Sequence, residues 1–282
     1  MQSSEPFDQD YRLRARFAMS AGLLILFYHL LSSTLLTGME QPPFLFADKD
    51  FVYRLFVQSG IPQLVSANPF VSLVFDIDLL ILPVLFMITL NRTYVVFLSL
   101  FLIFYFLTFN SVTGHHYHAL VGLIVITIPF WFKKEGKFYL AWDAARYYFL
   151  YVFTSAALWK ILRGSAFYQD QLSDILKAQQ IDLLLQNPGS LHAVVVRYLI
   201  ANPSVSHTVL LVNVALQLCF LIGFFTKRFD MVLFWLAIIF CAANAFVMNI
   251  ISVELLILNL TLLDWKKVRA LLQRSKLIKQ QV

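Results

Sequence analysis

Residues 67–92 read ANPFVSLVFDIDLLILPVLFMITLNR. An Asn-Pro pair opens the stretch and an Asn-Arg pair closes it. Between them lie about 20 residues of nearly unbroken apolar sequence, the length that crosses the hydrocarbon of a bilayer. Only Asp76 and Asp78 interrupt it with charge. Residues 201–228, ANPSVSHTVLLVNVALQLCFLIGFFTKR, follow the same plan. Together the two stretches predict a helical membrane protein with a duplicated chain.

Further apolar runs lie at 17–36, 93–110, 116–132, 146–163, 229–248 and 250–264. With 70–90 and 207–225 they make eight spans. The run Phe17 to Leu36 is too long for a signal-peptide core and is read as a retained span. The fourth and eighth are short and are expected to enter at an angle. Composition agrees: of 282 residues, 60% are hydrophobic, 16% aromatic and 13% charged. A soluble domain carries about a quarter charged residues, so a soluble enzyme, a disordered chain and a secreted disulfide scaffold are excluded. Cys219 and Cys241 both sit in apolar runs, which supports neither a disulfide framework nor a zinc site.

Eight spans put both termini on one side. Arg12, Arg14 and Arg16 precede the first span, Arg92 lies in the 2–3 turn, and Lys133, Lys134, Lys137 and Arg146 lie in the 4–5 loop. Lys227 and Arg228 lie in the 6–7 turn, and Lys266, Lys267, Arg269, Arg274, Lys276 and Lys279 follow the last span. The opposite side keeps only six of the 22 Lys and Arg despite its two longer loops. The basic excess marks the cytoplasmic face, so both termini of this multi-pass cell-membrane protein are expected there. The net charge of +6 is explained this way, and nucleic acid is not an expected partner.

The outer loops, 38–69 and 164–206, are expected to be partly helical. Gln171 to Leu185 places Leu172, Ile175, Leu176, Leu183 and Leu184 on one face, between Gly164-Ser165 and Pro188-Gly189. A lid packed on the bundle is the expected role. The duplication is carried by Ala67-Asn68-Pro69 and Ala201-Asn202-Pro203, by Asn91-Arg92 and Lys227-Arg228, by Trp131 and Trp265 before lysine pairs, and by Gly38 and Gly164. The expected architecture is all-α: a single membrane domain with a first half at 1–134, a second at 135–267 and a basic tail at 268–282. Four spans per half make the repeats parallel, related by an axis along the membrane normal.

Ionisable groups inside apolar runs are expensive and mark candidate sites. They are His29, Asp76, Asp78, Lys160 and Glu254, with His115, His116 and His118 at the outer turn between spans three and four. Asn213, Gln217, Asn244 and Asn249 share the outer half. The expectation is one outward-facing polar cavity that gathers His29, Asp76 or Asp78, His115 or His116, Lys160 and Glu254. Asn213, Asn244 and Asn249 taken singly are better read as helix-packing hydrogen bonds. Asp76 and Asp78 point about 200° apart on a helix and do not form a carboxylate pair. The histidine turn lacks a paired acidic ligand, so no metal site is expected. Lys160, preceded by Trp159, carries the most specific chemistry. A desolvated lysine serves as a base near neutral pH, although snorkelling to the headgroups is the commoner role of a lysine near a span end.

Three stretches resemble the HTTM family, whose best-known members are the vitamin K-dependent gamma-carboxylases. Gly114-His115-His116-Tyr117-His118-Ala119-Leu120 is similar to the family's Asn-His-x-Tyr-Leu-x-x-Leu. Arg146 to Phe153, continuing through Ala157-Leu158-Trp159-Lys160, resembles its Arg-x-x-x-x-x-Val-Tyr-Phe-x-Ala-Gly-x-x-Lys-Leu. Asn244 to Trp265, ending in Asp264-Trp265, is the third. The resemblance implies that Lys160 is the base toward a reduced quinone of the vitamin K type, and that His115 or His116 assists as proton or charge partner. Apart from the resemblance, the residues in and beside the apolar runs make His29, Asp76, Asp78, His118, Trp159, Asn244 and Glu254 the expected binding positions around them. The departures are Ala157 for the family's glycine, Ile161 for its leucine and Cys241 where it carries a histidine. The chain reads as a short form without the lumenal β-domain, which argues against a propeptide-bearing substrate. Two readings remain open: a quinol-linked, carboxylase-like or peptide-modifying enzyme, and a non-enzymatic transporter or membrane partner of an exported peptide or envelope complex. In both, the lipid bilayer is a partner.

Overall fold

The computed structural model describes residues 5–38, 51–112, 120–248 and 253–279. Among them all regular structure is helical: α1 (Glu5–Leu31), α2 (Phe51–Gln58), α3 (Ile61–Ala67), α4 (Pro69–Thr89), α5 (Arg92–Val112), α6 (Leu120–Thr127), α7 (Glu135–Leu162), α8 (Gln171–Gln179), α9 (Ile181–Gln186), α10 (Leu191–Ala201), α11 (Pro203–Cys219), α12 (Ile222–Phe225), α13 (Asp230–Met248), α14 (Val253–Leu256) and α15 (Trp265–Lys279). Four helical stretches are long and apolar enough to cross a membrane: Pro6–Gly38, Pro69–Thr89, Pro203–Phe225 and Asp230–Met248. Arg92–Thr108, Leu120–Trp131 and Val253–Leu262 are apolar but shorter. In the last two, α6 tightens into a 3₁₀ turn at Ile128–Trp131 and α14 into another at Ile257–Leu262. Large apolar side chains such as Leu24, Ile88 and Phe225 face outward, as they do where lipid is the solvent.

The chain divides into two compact units, residues 1–145 with 253–282, and residues 146–252. In the first, α1 begins at Glu5, well before the apolar run at Phe17. One face explains why. Phe7, Tyr11, Ala15, Ala18 and Leu26 are buried at helical spacing, and His29 ends the same stripe. Its polar start is held at one end of the unit. Asp10 accepts bonds from Arg269 (2.8 Å) and the Tyr139 hydroxyl (3.0 Å), and Arg14 Nε lies 2.8 Å from it as an ion pair. Arg14 in turn lies 4.8 Å from the Trp142 ring centre and 5.4 Å from that of Trp265. Burial, followed by the bond to Asp10, pushes the Tyr139 hydroxyl up to about 12, so it remains a donor at physiological pH.

Both α4 and α11 start at Asn-Pro, with proline at the first turn, where a missing N–H costs nothing. Beside each corner a buried serine ties the two helices together. Ser72 Oγ donates to the Val65 carbonyl at 2.7 Å, and Ser206 Oγ donates to the Leu199 carbonyl at 2.6 Å. The asparagines differ. Asn68 accepts from the backbone N–H groups of Phe70 and Val71, whereas the Asn202 side chain donates back to the Tyr198 carbonyl. Asn68→Ala should therefore cost about 1 kcal/mol, the worth of a lost N-cap, and Asn202→Ala clearly less. Thermal unfolding in detergent checks this order; equal losses would remove the capping distinction.

In the second unit Ala157, Leu172, Leu176, Val196, Leu199 and Leu210 form the centre of an apolar cluster. The outer-loop segment lies on it as two helices rather than one. They break at Gln180, whose side chain donates to the Met248 carbonyl at 2.7 Å. Arg146, placed by sequence among the loop cations, is instead 1% exposed. It grips Asp230 with two bonds (2.8 and 2.5 Å) and donates to the Gly223 carbonyl at 2.9 Å. Gly223 itself packs against Leu150, where a Cβ would meet Leu150 Cδ2 at 2.6 Å.

Candidate functional site

The structure brings His29 and Glu254 together in the first unit and places Lys160 and Asn244 in the second. His115, His116 and His118 lie outside the described residues, as does Asn249.

His29 Nε2 lies 2.7 Å from Glu254 Oε1, and the two side chains are nearly enclosed. The buried stripe of α1 delivers the histidine. Gly122 lets the glutamate come close: a Cβ at 122 would collide with the Glu254 carbonyl oxygen and approach its carbon to 2.9 Å. On the other side of the ring, Nδ1 is 2.8 Å from Thr34 Oγ1, and Thr34 Oγ1 donates to the His29 carbonyl at 3.1 Å. Which atom donates across the Nδ1–Thr34 contact depends on the ring tautomer. Nε2 and Oε1 stand at ion-pair distance, but Nε2 makes no hydrogen bond of its own among the described residues. Glu254 Oε2 is buried with no partner among the described residues. It is an acceptor shut away from water, which costs free energy unless something binds it.

Asp76 is differently placed. It accepts from Leu36 N (3.3 Å), Thr37 N (3.0 Å), Thr37 Oγ1 (2.5 Å) and the Tyr105 hydroxyl. The carboxylate pins the turn after α1 to α4 and α5, and its acceptor capacity is filled. Asp78 lies off the buried face of α4 and is half-exposed, as the helical period requires.

In the second unit Lys160 Nζ donates to Gln217 Oε1 at 2.9 Å and to its own Ala156 carbonyl at 3.4 Å. Its side-chain partner is a neutral amide. Asn213, one turn before Gln217, donates to Asn244 Oδ1 at 3.3 Å, and its own Oδ1 is buried without a partner among the described residues. Lys160, Gln217, Asn213 and Asn244 thus make a polar lane across α7, α11 and α13. Trp159 does not wall it: the ring is 57% exposed and lies 4.4 Å beneath the Arg163 guanidinium. Phe153 is buried and stacked on Phe220, with centroids 4.2 Å apart.

Thr34, Tyr105, Gly122 and His192 belong to these environments and were not singled out from sequence. His192 stacks on Phe246, and its Nε2 is buried and unpartnered among the described residues. The lone glycine in the apolar run 120–127 was the one sequence signal available for Gly122. Among the described residues no three His, Cys, Asp or Glu side chains gather as a metal site.

Comparison with known proteins gives no match: no family model fits the chain, and neither a curated protein nor a solved structure is similar to it.

Proposed function

We propose that the chain is a multi-pass membrane protein of the HTTM type with both termini cytoplasmic, and that Lys160 acts as a base on a lipid-soluble acidic ligand such as a reduced quinone. An exported peptide is the proposed acceptor of the chemistry. Eight crossings in two four-span repeats complete the reading. The quoted sequence stretches support the family. The matched serine ties at the two Asn-Pro corners support the repeat. One observation carries the chemistry: Lys160 is held by Gln217, a neutral acceptor. A carboxylate partner would fix a lysine as ammonium; an amide orients it and leaves the amine form open.

The test is oxygen-dependent oxidation of a short-chain naphthoquinol by protein in aerated nanodiscs, above the protein-free rate: Lys160 takes the hydroxyl proton and dissolved dioxygen takes the two electrons. Wild type should consume it, and Lys160→Ala should lose about 10²–10⁴-fold, the usual worth of a general base. Membrane insertion should be unchanged, because a helix satisfies its own backbone. Turnover that survives Lys160→Ala rules out the base role. A wild type inert to the quinol rules out this ligand.

A second reading, a non-enzymatic transporter or membrane partner of an exported peptide, is favoured by the His29–Glu254 pair. A buried histidine in contact with a buried glutamate whose other oxygen is unpartnered is the kind of ionisable pair that proton-coupled transporters carry inside the membrane. Proton uptake by proteoliposomes in the absence of quinol would decide for it.

A further inference from the structure

A cleft of about 510 Å3 opens between α1 and α15 in the first unit. Arg12, Arg16 and Arg269 line it together with Leu13, Leu272 and Gln273. Arg12 and Arg16 are one helical turn apart and so share a face. Both are exposed, and neither is ion-paired among the described residues. Arg269 is fixed in place by its 2.8 Å bond to Asp10. Among the described residues no carboxylate lines the cleft; Asp10 sits behind Arg269 and is spent on it and its neighbours. The other half of the surface is apolar: Leu272 is exposed in the cleft, and Leu271 beside it is more so.

We propose that this cleft binds the headgroup phosphate of an anionic phospholipid of the phosphatidylglycerol class. Guanidinium forks match phosphate oxygens in geometry and charge. Three arginines line the cleft with no acid among its described residues, and they offer more positive charge than the one structural carboxylate, Asp10, neutralises. A free phosphate would need only the arginines. The leucines favour the lipid, because Leu13 and Leu272 give the same cleft an apolar wall for glycerol and the first acyl carbons. Basic clefts at the membrane surface beside crossing helices recognise anionic lipids by this combination. The inference rests on the apolar helices lying in a bilayer and is independent of the role of Lys160.

The experiment is native mass spectrometry of the full chain released from nanodiscs of equal phosphatidylglycerol and phosphatidylcholine. Phosphatidylglycerol should be retained preferentially. Arg12→Gln with Arg16→Gln should weaken that retention roughly 10- to 30-fold, given the attraction per basic residue at a membrane surface. Lys266→Gln with Lys267→Gln removes the same charge from exposed positions of α15 outside the cleft and should leave retention near wild type. Excess inorganic phosphate should not displace the lipid. Equal retention of both lipids, equal loss in the two double variants, or full displacement by inorganic phosphate would each overturn the proposal. All exchanged residues are exposed, so unchanged thermal unfolding is expected to accompany every result. If the Arg12/Arg16 double variant does unfold, Arg16→Gln alone must still show a several-fold loss, and wild-type retention there overturns the proposal.

Discussion

Arg146→Ala should be the most damaging single substitution in the second unit, lowering stability by about 3–5 kcal/mol. The guanidinium is enclosed and satisfies Asp230 bidentately as well as the Gly223 carbonyl, with a longer bond to the Thr226 carbonyl at 3.4 Å. Truncation strands the Asp230 carboxylate without its countercharge and leaves two carbonyls unmatched. The loss comes mainly from what is orphaned, not from the worth of the pair. Arg146→Lys should fall between, because an ammonium lacks the planar fork. Arg146→Met with Asp230→Leu should recover most of the loss. Unfolding midpoints in detergent measure all three. A double variant no better than Arg146→Ala would show that the charge pair is worth more than its desolvation.

The second large effect is expected at the His29–Glu254 pair. Glu254→Ala and His29→Ala should each cost about 3–5 kcal/mol, since each leaves a buried partner uncompensated. The double variant should cost far less than their sum. A coupling of about 2 kcal/mol is the expected size for residues in direct contact. Glu254→Gln should be milder, because its amide still meets Nε2. Additivity of the single effects would show that the two side chains do not depend on one another.

The periodic part of this architecture was legible in the residues. The Asn-Pro starts of α4 and α11, the apolar runs behind them and the opposite orientations of Asp76 and Asp78 follow from helix geometry and local chemistry. The stripe from Phe7 to Leu26 has the same period, but Arg12, Arg14 and Arg16 lie among its first turns, so the residues before Phe17 read as a polar segment and not as the start of α1. What was not legible depends on partners far along the chain. Arg146 read as a loop cation because Asp230 is 84 residues away. Lys160 read as a snorkelling lysine or a base because nothing local announces Gln217, 57 residues on. The shortness of the fourth and eighth runs was visible, but their tightening into 3₁₀ turns was not, since apolar content fixes burial and leaves helix pitch open.

The first unit is interrupted: the second unit is made before residues 253–282 return to complete it. Synthesis therefore runs against the fold. His29 reaches its place early, and the chain between it and Glu254 takes roughly 10–45 s to emerge at ordinary translation rates. For that interval the ring must be sheltered by water at the bilayer surface or by the insertion machinery. A chain that ends before Glu254 holds a first unit with an unmatched histidine and without its closing segment.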